Sequence, residues 1–147
     1  MNTYKRADLL EAGESFEPLQ FTVTDESNEA YLHAEEDLHP RYMDGPDGGT
    51  VHPSLLINQS QHMRSPSFYL DPGMAAVLTH NEVHFKSTGS VGRTFTVTFD
   101  VVDAYERRGR PYQVVKSTIV DDTGAEIMRK TTTYTHVGGP FPGGKEK

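Results

Sequence analysis

The chain has 147 residues, no cysteine and a formal net charge of −7. The length fits one domain able to bury a single core; the missing thiols exclude disulfides, thiolate metal sites and a Cys nucleophile. The acidic balance argues against a general nucleic-acid binder. No apolar run approaches the ~20 residues that span a bilayer, and residues 1–16 lack a signal-peptide core, so a cytoplasmic protein with no membrane partner is expected.

Residues 1–15 are polar and read as a loose N-terminal arm. Residues 16–24 (FEPLQFTVT) put Leu19, Phe21 and Val23 on one side of a short strand. Thr24 or Asp25 offers an N-cap for a helix over 26–35, with Asp25 and Glu26 in its first turn and Ala30, Tyr31 and Ala34 as its buried face. Pro40 stops any continuation. Residues 37–52 (DLHPRYMDGPDGGTVH) then crowd three Asp, two His, a Tyr and an Arg among turn-forming Gly and Pro. Titratable groups in a loop held by a rigid element are where chemistry is usually built.

Pro53 suits a first helical position, and Leu55, Leu56, Gln59 and Met63 follow at helical spacing, predicting a helix over 53–64. Ser65–Pro66 and Asp71–Pro72–Gly73 break the chain. The second half reads as strands. Val77, Val83 and Phe85 are expected on one face, and Phe95, Val97, Phe99 and Val101 alternate inward along 94–105. Turns at 107–110 (RRGR) and 121–124 (DDTG) lead into strands over 112–120 and 125–137, making a meander. The tail 138–147, rich in Gly and Pro, is expected to be disordered. These elements predict an α+β domain over 16–137, a curved antiparallel sheet wrapped around the helix that begins at Pro53. Free sheet edges would favour a dimer.

Two further constellations stand out. His80, Glu82 and His84 alternate on one strand at a spacing that could ligate a metal, but they lie on the polar face of a half-buried strand, and no metal site is expected. Arg107, Arg108 and Arg110 form a basic turn. A solvated hairpin is the favoured reading, with contact to the phosphates of a ligand as its functional counterpart.

Across residues 16–137 the chain resembles the MaoC-like branch of the hot-dog fold, the acyl-thioester hydratases and dehydratases. The resemblance lies in FTVTDESNEAYLHAEED, in HPRYMDGPDGGTVHPSLL leading into the central helix, and in HNEVHFKSTGSVGRTFTVTFDVVDAYERRGRPYQVV. The family motif Asp-x-Asn-Pro-x-His, laid on this chain, puts its Asp on Asp37 and its Pro on Pro40; His39 replaces the Asn and Tyr42 the His. The His of a later His-Gly pair matches His52, whereas Pro53 replaces the Gly.

What the resemblance implies is water addition to an enoyl thioester, or its reverse, on acyl-CoA or an acyl-carrier thioester, without a cofactor. That reaction needs a base for water, an acid for the α-carbon and donors for the enolate oxygen. Asp37 would be base or orienter. Tyr42 is a poor base, since a phenol titrates near ~10, but it can hold a water. His39 is two residues from Asp37 and could pair with it on one face of an extended loop. Pro53 has no N–H, so the carbonyl donor would come from Ser54 or from the Gly48–Gly49 turn. The candidate set is therefore Asp37, His39, Tyr42 and His52 for catalysis, and Gly49, Ser54, Arg107, Arg108 and Arg110 for binding. Three readings stay open: a hydratase, expected as a homodimer; a non-catalytic partner of a homologous subunit, shaping an acyl tunnel; and a hot-dog thioesterase or small-ligand module. A thioesterase would want a carboxylate on the central helix, and SLLINQSQHM has none.

Overall fold

The computed structural model describes residues 5–43 and 49–138. In chain order they form β1 (Ser15–Thr22), α1 (Asp25–Glu35), α2 (Pro40–Met43), α3 (Pro53–Gln59), β2 (Met74–Phe85), β3 (Thr94–Arg107), β4 (Arg110–Asp121) and β5 (Glu126–Gly138). The strands make one antiparallel sheet in the order β1-β3-β4-β5-β2, with β3, β4 and β5 as the expected meander. The disorder expected of the tail concerns residues that, from 139 on, lie outside the described ones. Among the described residues no helix is long and apolar enough to cross a membrane.

Alternation along the meander builds the core. Phe95, Val97, Phe99 and Val101 are buried as expected, and the register sets Val97 beside Ile119, and Ile119 beside Met128. Phe21 stacks on Phe95 across the β1–β3 pair. Leu56 of α3 joins this same buried cluster, so the sheet face packs against the helix.

Several expectations are corrected. The arm is not loose over residues 5–15: Ala7 is fully buried, and the Gln113 amide donates to the Ala7 and Leu10 carbonyls at 2.8 and 2.7 Å. Arg6 ties the same segment to Asp71 at 2.8 Å. The buried face of α1 is Asn28 and Leu32, with Ala30 and Ala34 exposed. The α3 helix stops at Gln59, where the Ser60 amide and hydroxyl and Lys130 Nζ all donate to the Ile57 carbonyl in place of the amide a continuing helix would bring there. The chain then tightens into a 3₁₀ turn, His62–Arg64, which carries His62 into the core and leaves Met63 outside. In β2 a register shift between Leu78 and His80 puts Val77 on the opposite face from Val83 and Phe85.

Candidate active site

The position of Asp37 follows from how α1 begins and ends. Thr24 and Ser27 form a reciprocal capping box at the start. At the end Glu36 turns left-handed (φ 57°, ψ 32°), and the Asp37 amide returns to the Leu32 carbonyl at 3.1 Å. Asp37 is therefore the first residue to leave the helix, with its carboxylate beside the following loop.

The expected Asp37–His39 side-chain dyad does not form. Asp37 Oδ1 instead accepts the backbone N–H of His39 at 3.3 Å, and His39 Nδ1 accepts the Arg41 amide at 3.1 Å at the start of α2. The imidazole of His39 serves the local turn.

His52 takes that place. It is the N-cap of α3, and its Nε2 lies 3.1 Å from Asp37 Oδ2. Its Nδ1 accepts the Ser54 amide at 3.2 Å and lies 2.8 Å from Ser54 Oγ. An amide can only donate, so Nδ1 carries no proton, and the neutral ring bears its proton on Nε2, which donates to Asp37. The Ser54 hydroxyl then donates to Nδ1, and its oxygen accepts from the Tyr31 hydroxyl. The result is one directed chain, Tyr31 to Ser54 to His52, closed by His52 donating to Asp37. The Ser54 amide, expected as a donor to a substrate carbonyl, is used inside this chain instead.

Tyr42 packs its ring 4.8 Å from that of His52. Its carbonyl accepts the amide of buried Asn28 at 2.8 Å. Gly49 is held at φ +111°, and a Cβ there would lie 2.4 Å from the Tyr42 carbonyl oxygen. Glycine is thus required at 49 for backbone to pass backbone, rather than for contact with a ligand. The adjoining Thr50 bridges to Ser90, and Val51 N–H donates to the Gly89 carbonyl at 2.7 Å, fixing the loop to the connection between β2 and β3. Asp44, Gly45, Pro46, Asp47 and Gly48, the last of them half of the expected Gly48–Gly49 turn, lie outside the described residues.

A mostly apolar cavity of about 290 Å³ opens beside Tyr42, lined by Val51, Pro53, Leu56, Phe85 and Gly89, with Arg41 and Lys86 also on its wall. Neither cation was singled out from the sequence; each stands alone in its neighbourhood, and only the fold brings residues 41 and 86 together. Tyr31 was read as core, and nothing in its spacing signals a bond to Ser54.

The remaining candidates fall elsewhere. Arg108 (φ 53°) and Gly109 (φ 77°) form the two-residue turn between β3 and β4, with Arg107, Arg108 and Arg110 all exposed. The 14-residue β3 separates them from the Thr50–Ser90 bridge, on the order of 40 Å at strand rise, so one chain does not bring these arginines to Asp37. His80, Glu82 and His84 are exposed on edge strand β2, and among the described residues no three His, Asp or Glu side chains converge as metal ligands.

No protein-family model matches the chain, and no curated protein matches it. Solved structures do. The (R)-hydratase from A. caviae involved in PHA biosynthesis shares 18% identity over 87% of this chain and 98% of its own, with a TM-score of 0.71. The MaoC-like dehydratase from Rhodospirillum rubrum shares 14% over 95% of this chain and 100% of its own, at 0.70. A mutant of the fluoroacetyl-CoA-specific thioesterase FlK, in complex with fluoroacetate and CoA, shares 21% over 87% of this chain and 95% of its own, at 0.61. These likenesses are of fold: the chain has the α+β hot-dog fold, with a five-stranded antiparallel sheet packed on one helix.

Proposed function

We propose that the chain is an acyl-thioester hydratase/dehydratase whose working pair is Asp37 and His52. The observation that carries this reading is the 3.1 Å contact between Asp37 Oδ2 and His52 Nε2, one ring away from an apolar cavity. His52 fixes one carboxylate oxygen and the His39 amide the other, so Asp37 is oriented yet keeps lone pairs toward solvent, its side chain being 40% exposed. A carboxylate so placed can take the proton of a water that adds to the β-carbon of an enoyl thioester and return it to the α-carbon, ending ionised as it began. Tyr42, on the cavity wall, would supply a hydroxyl to the enolate oxygen. The acyl chain would lie along Val51, Leu56 and Phe85, and Arg41 and Lys86 would meet the phosphates of coenzyme A or a carrier's prosthetic arm, the role first considered for Arg107, Arg108 and Arg110. The chemistry calls for no cofactor.

A homodimer joined through β2 belongs to this reading. That strand is a sheet edge whose Val77, Leu78 and Phe85 are exposed. Two observations favour a second reading, a non-catalytic partner of a homologous subunit: Tyr42 stands where the family's motif has His, and the first helical amide after His52 is missing at Pro53.

The test is turnover of crotonyl-CoA and longer enoyl-CoA substrates by the purified chain alone. Loss of enoyl absorbance that depends on the enzyme supports the hydratase. Silence at every chain length, reversed on adding a homologous subunit, supports the partner; silence in both settings removes hydration from the site.

A further inference from the structure

The hydrogen-bond chain at α3 has a second property that water addition does not use. Ser54 Oγ, His52 and Asp37 stand in the order nucleophile, base, orienting acid. Oγ to Nδ1 is 2.8 Å and Nε2 to Oδ2 is 3.1 Å, within the reach such an array requires. The ring is entered through Nδ1 and anchored through Nε2. Either imidazole nitrogen can fill either role, provided the anchored one carries the proton, as the Ser54 amide dictates here. Tyr31 adds a hydroxyl on the far side of Oγ.

We propose that Ser54 is an acyl acceptor and that the chain hydrolyses acyl thioesters through a Ser54 ester. The substrate class rests on the acyl-thioester reading above; the nucleophile rests on the geometry of the array. In the first half-reaction Ser54 Oγ attacks the thioester carbonyl carbon while its proton passes to His52 Nδ1, the Ser54 amide giving up its own bond to that nitrogen, and the imidazolium is held by Asp37. The C–S bond then breaks and the leaving thiolate takes the Nδ1 proton, giving free thiol and an acyl-Ser54 ester. In the second, water attacks the ester carbonyl as Nδ1 takes its proton. The C–Oγ bond breaks, and Ser54 recovers the proton, giving the carboxylic acid. Thioester and water become acid and thiol, with nothing else consumed. When Oγ gives up its proton and bonds to carbon, the Tyr31 hydroxyl loses its acceptor and can turn to the adjoining carbonyl oxygen, where negative charge develops. This route needs no carboxylate on the central helix, the absence of which argued against a thioesterase from the sequence.

Butyryl-CoA separates this activity from hydration, because a saturated acyl chain has no double bond to hydrate. With the full chain, thiol release is followed by a colorimetric thiol reagent, and acid-quenched protein is weighed intact and mapped by peptide mass. The expected result is catalytic thiol release with an added butyryl mass on Ser54. Release falls at least about 100-fold in Ser54→Ala, while Ser54→Cys keeps the adduct as a thioester on residue 54. Folding of each variant is checked by its melting temperature, and wild-type labelling of Ser54 by a fluorophosphonate reports the nucleophile without any thioester. Hydration of crotonyl-CoA with no butyryl-CoA cleavage and no adduct overturns the proposal and leaves the hydratase standing. Cleavage with a Ser54 adduct but no hydration upholds the proposal and overturns the hydratase. Cleavage that persists unchanged in Ser54→Ala overturns the proposal.

Discussion

Asp37 Oδ2 and His52 Nε2 lie 3.1 Å apart although 15 residues separate them in the chain. One leaves the C-terminal end of α1 and the other caps the start of α3, and the chain between them is tied at Thr50 and Val51 to the connection between β2 and β3.

That tie sets a first expectation. Gly49→Ala would combine a positive φ with a Cβ 2.4 Å from the Tyr42 carbonyl oxygen, a backbone atom that cannot swing aside. We expect a loss of about 2–4 kcal/mol in urea unfolding. Disturbance of Tyr42, and of the ring contact it makes with His52, should lower turnover further in the fraction that remains folded. Wild-type stability in this variant would contradict the backbone crossing.

Buried His62 should make the protein sensitive to acid. Burial, with His136 and Lys130 nearby, pushes its pKa down from about 6.5 to about 3. Between these values the unfolded chain binds a proton that the folded one refuses, so stability is fully present above about pH 6.5 and falls as pH drops toward 3. The shift corresponds to about 5 kcal/mol as an upper bound. The ring is packed among Phe16, Phe68 and Tyr134. His62→Leu should flatten urea midpoints between about pH 4.5 and 6.5, leaving a smaller slope of the same sign from His136, whose pKa burial also lowers, and, at lower pH, from Glu14, Asp71 and Asp121, which hydrogen bonds hold below the usual carboxylate range. An unchanged pH profile would show that His62 is solvated.

Lys130 acts in the alkaline range. Burial lowers its pKa from 10.5 to about 8, so the folded state binds fewer protons than the unfolded between those values, and stability should rise with pH from about 8 to 10.5. Below pH 8 the cost of burying the charge is fully present, of order 3 kcal/mol. Lys130→Met should therefore raise the melting temperature at pH 7 and abolish the alkaline rise. The Ile57 carbonyl keeps the Ser60 hydroxyl at 3.0 Å, so no acceptor is stranded. A lower melting temperature at pH 7 would contradict this.

The strands of the meander were readable because alternation of period two leaves little choice of face, and Phe95 to Val101 fell inward as spaced. The cap of α1 was narrowed to Thr24 or Asp25, and Thr24 fills it, its partner being three residues away. Features fixed by distant contacts were not. Lys130, 73 residues on, reaches the Ile57 carbonyl at the end of α3, and His62 enters the core in the 3₁₀ turn that follows. Asp37, His52 and Ser54 could be named from the sequence, but not the contacts among them. A spacing of two suggested Asp37 with His39, whereas the N-cap at His52 is closed by a chain path through Gly49 and Thr50 that no local pattern encodes.

The most direct measurement is a double-mutant cycle on kcat/KM for enoyl-CoA hydration with Asp37→Asn and His52→Gln. If the two residues work as one unit, each substitution alone should lower kcat/KM by about 10²–10⁴-fold, and the double variant should fall little below the worse single one. Because the pair is part-exposed, both proteins should keep wild-type stability to within about 1 kcal/mol. Single variants that turn over at the wild-type rate, or losses that multiply in the double variant, would contradict an Asp37–His52 catalytic pair.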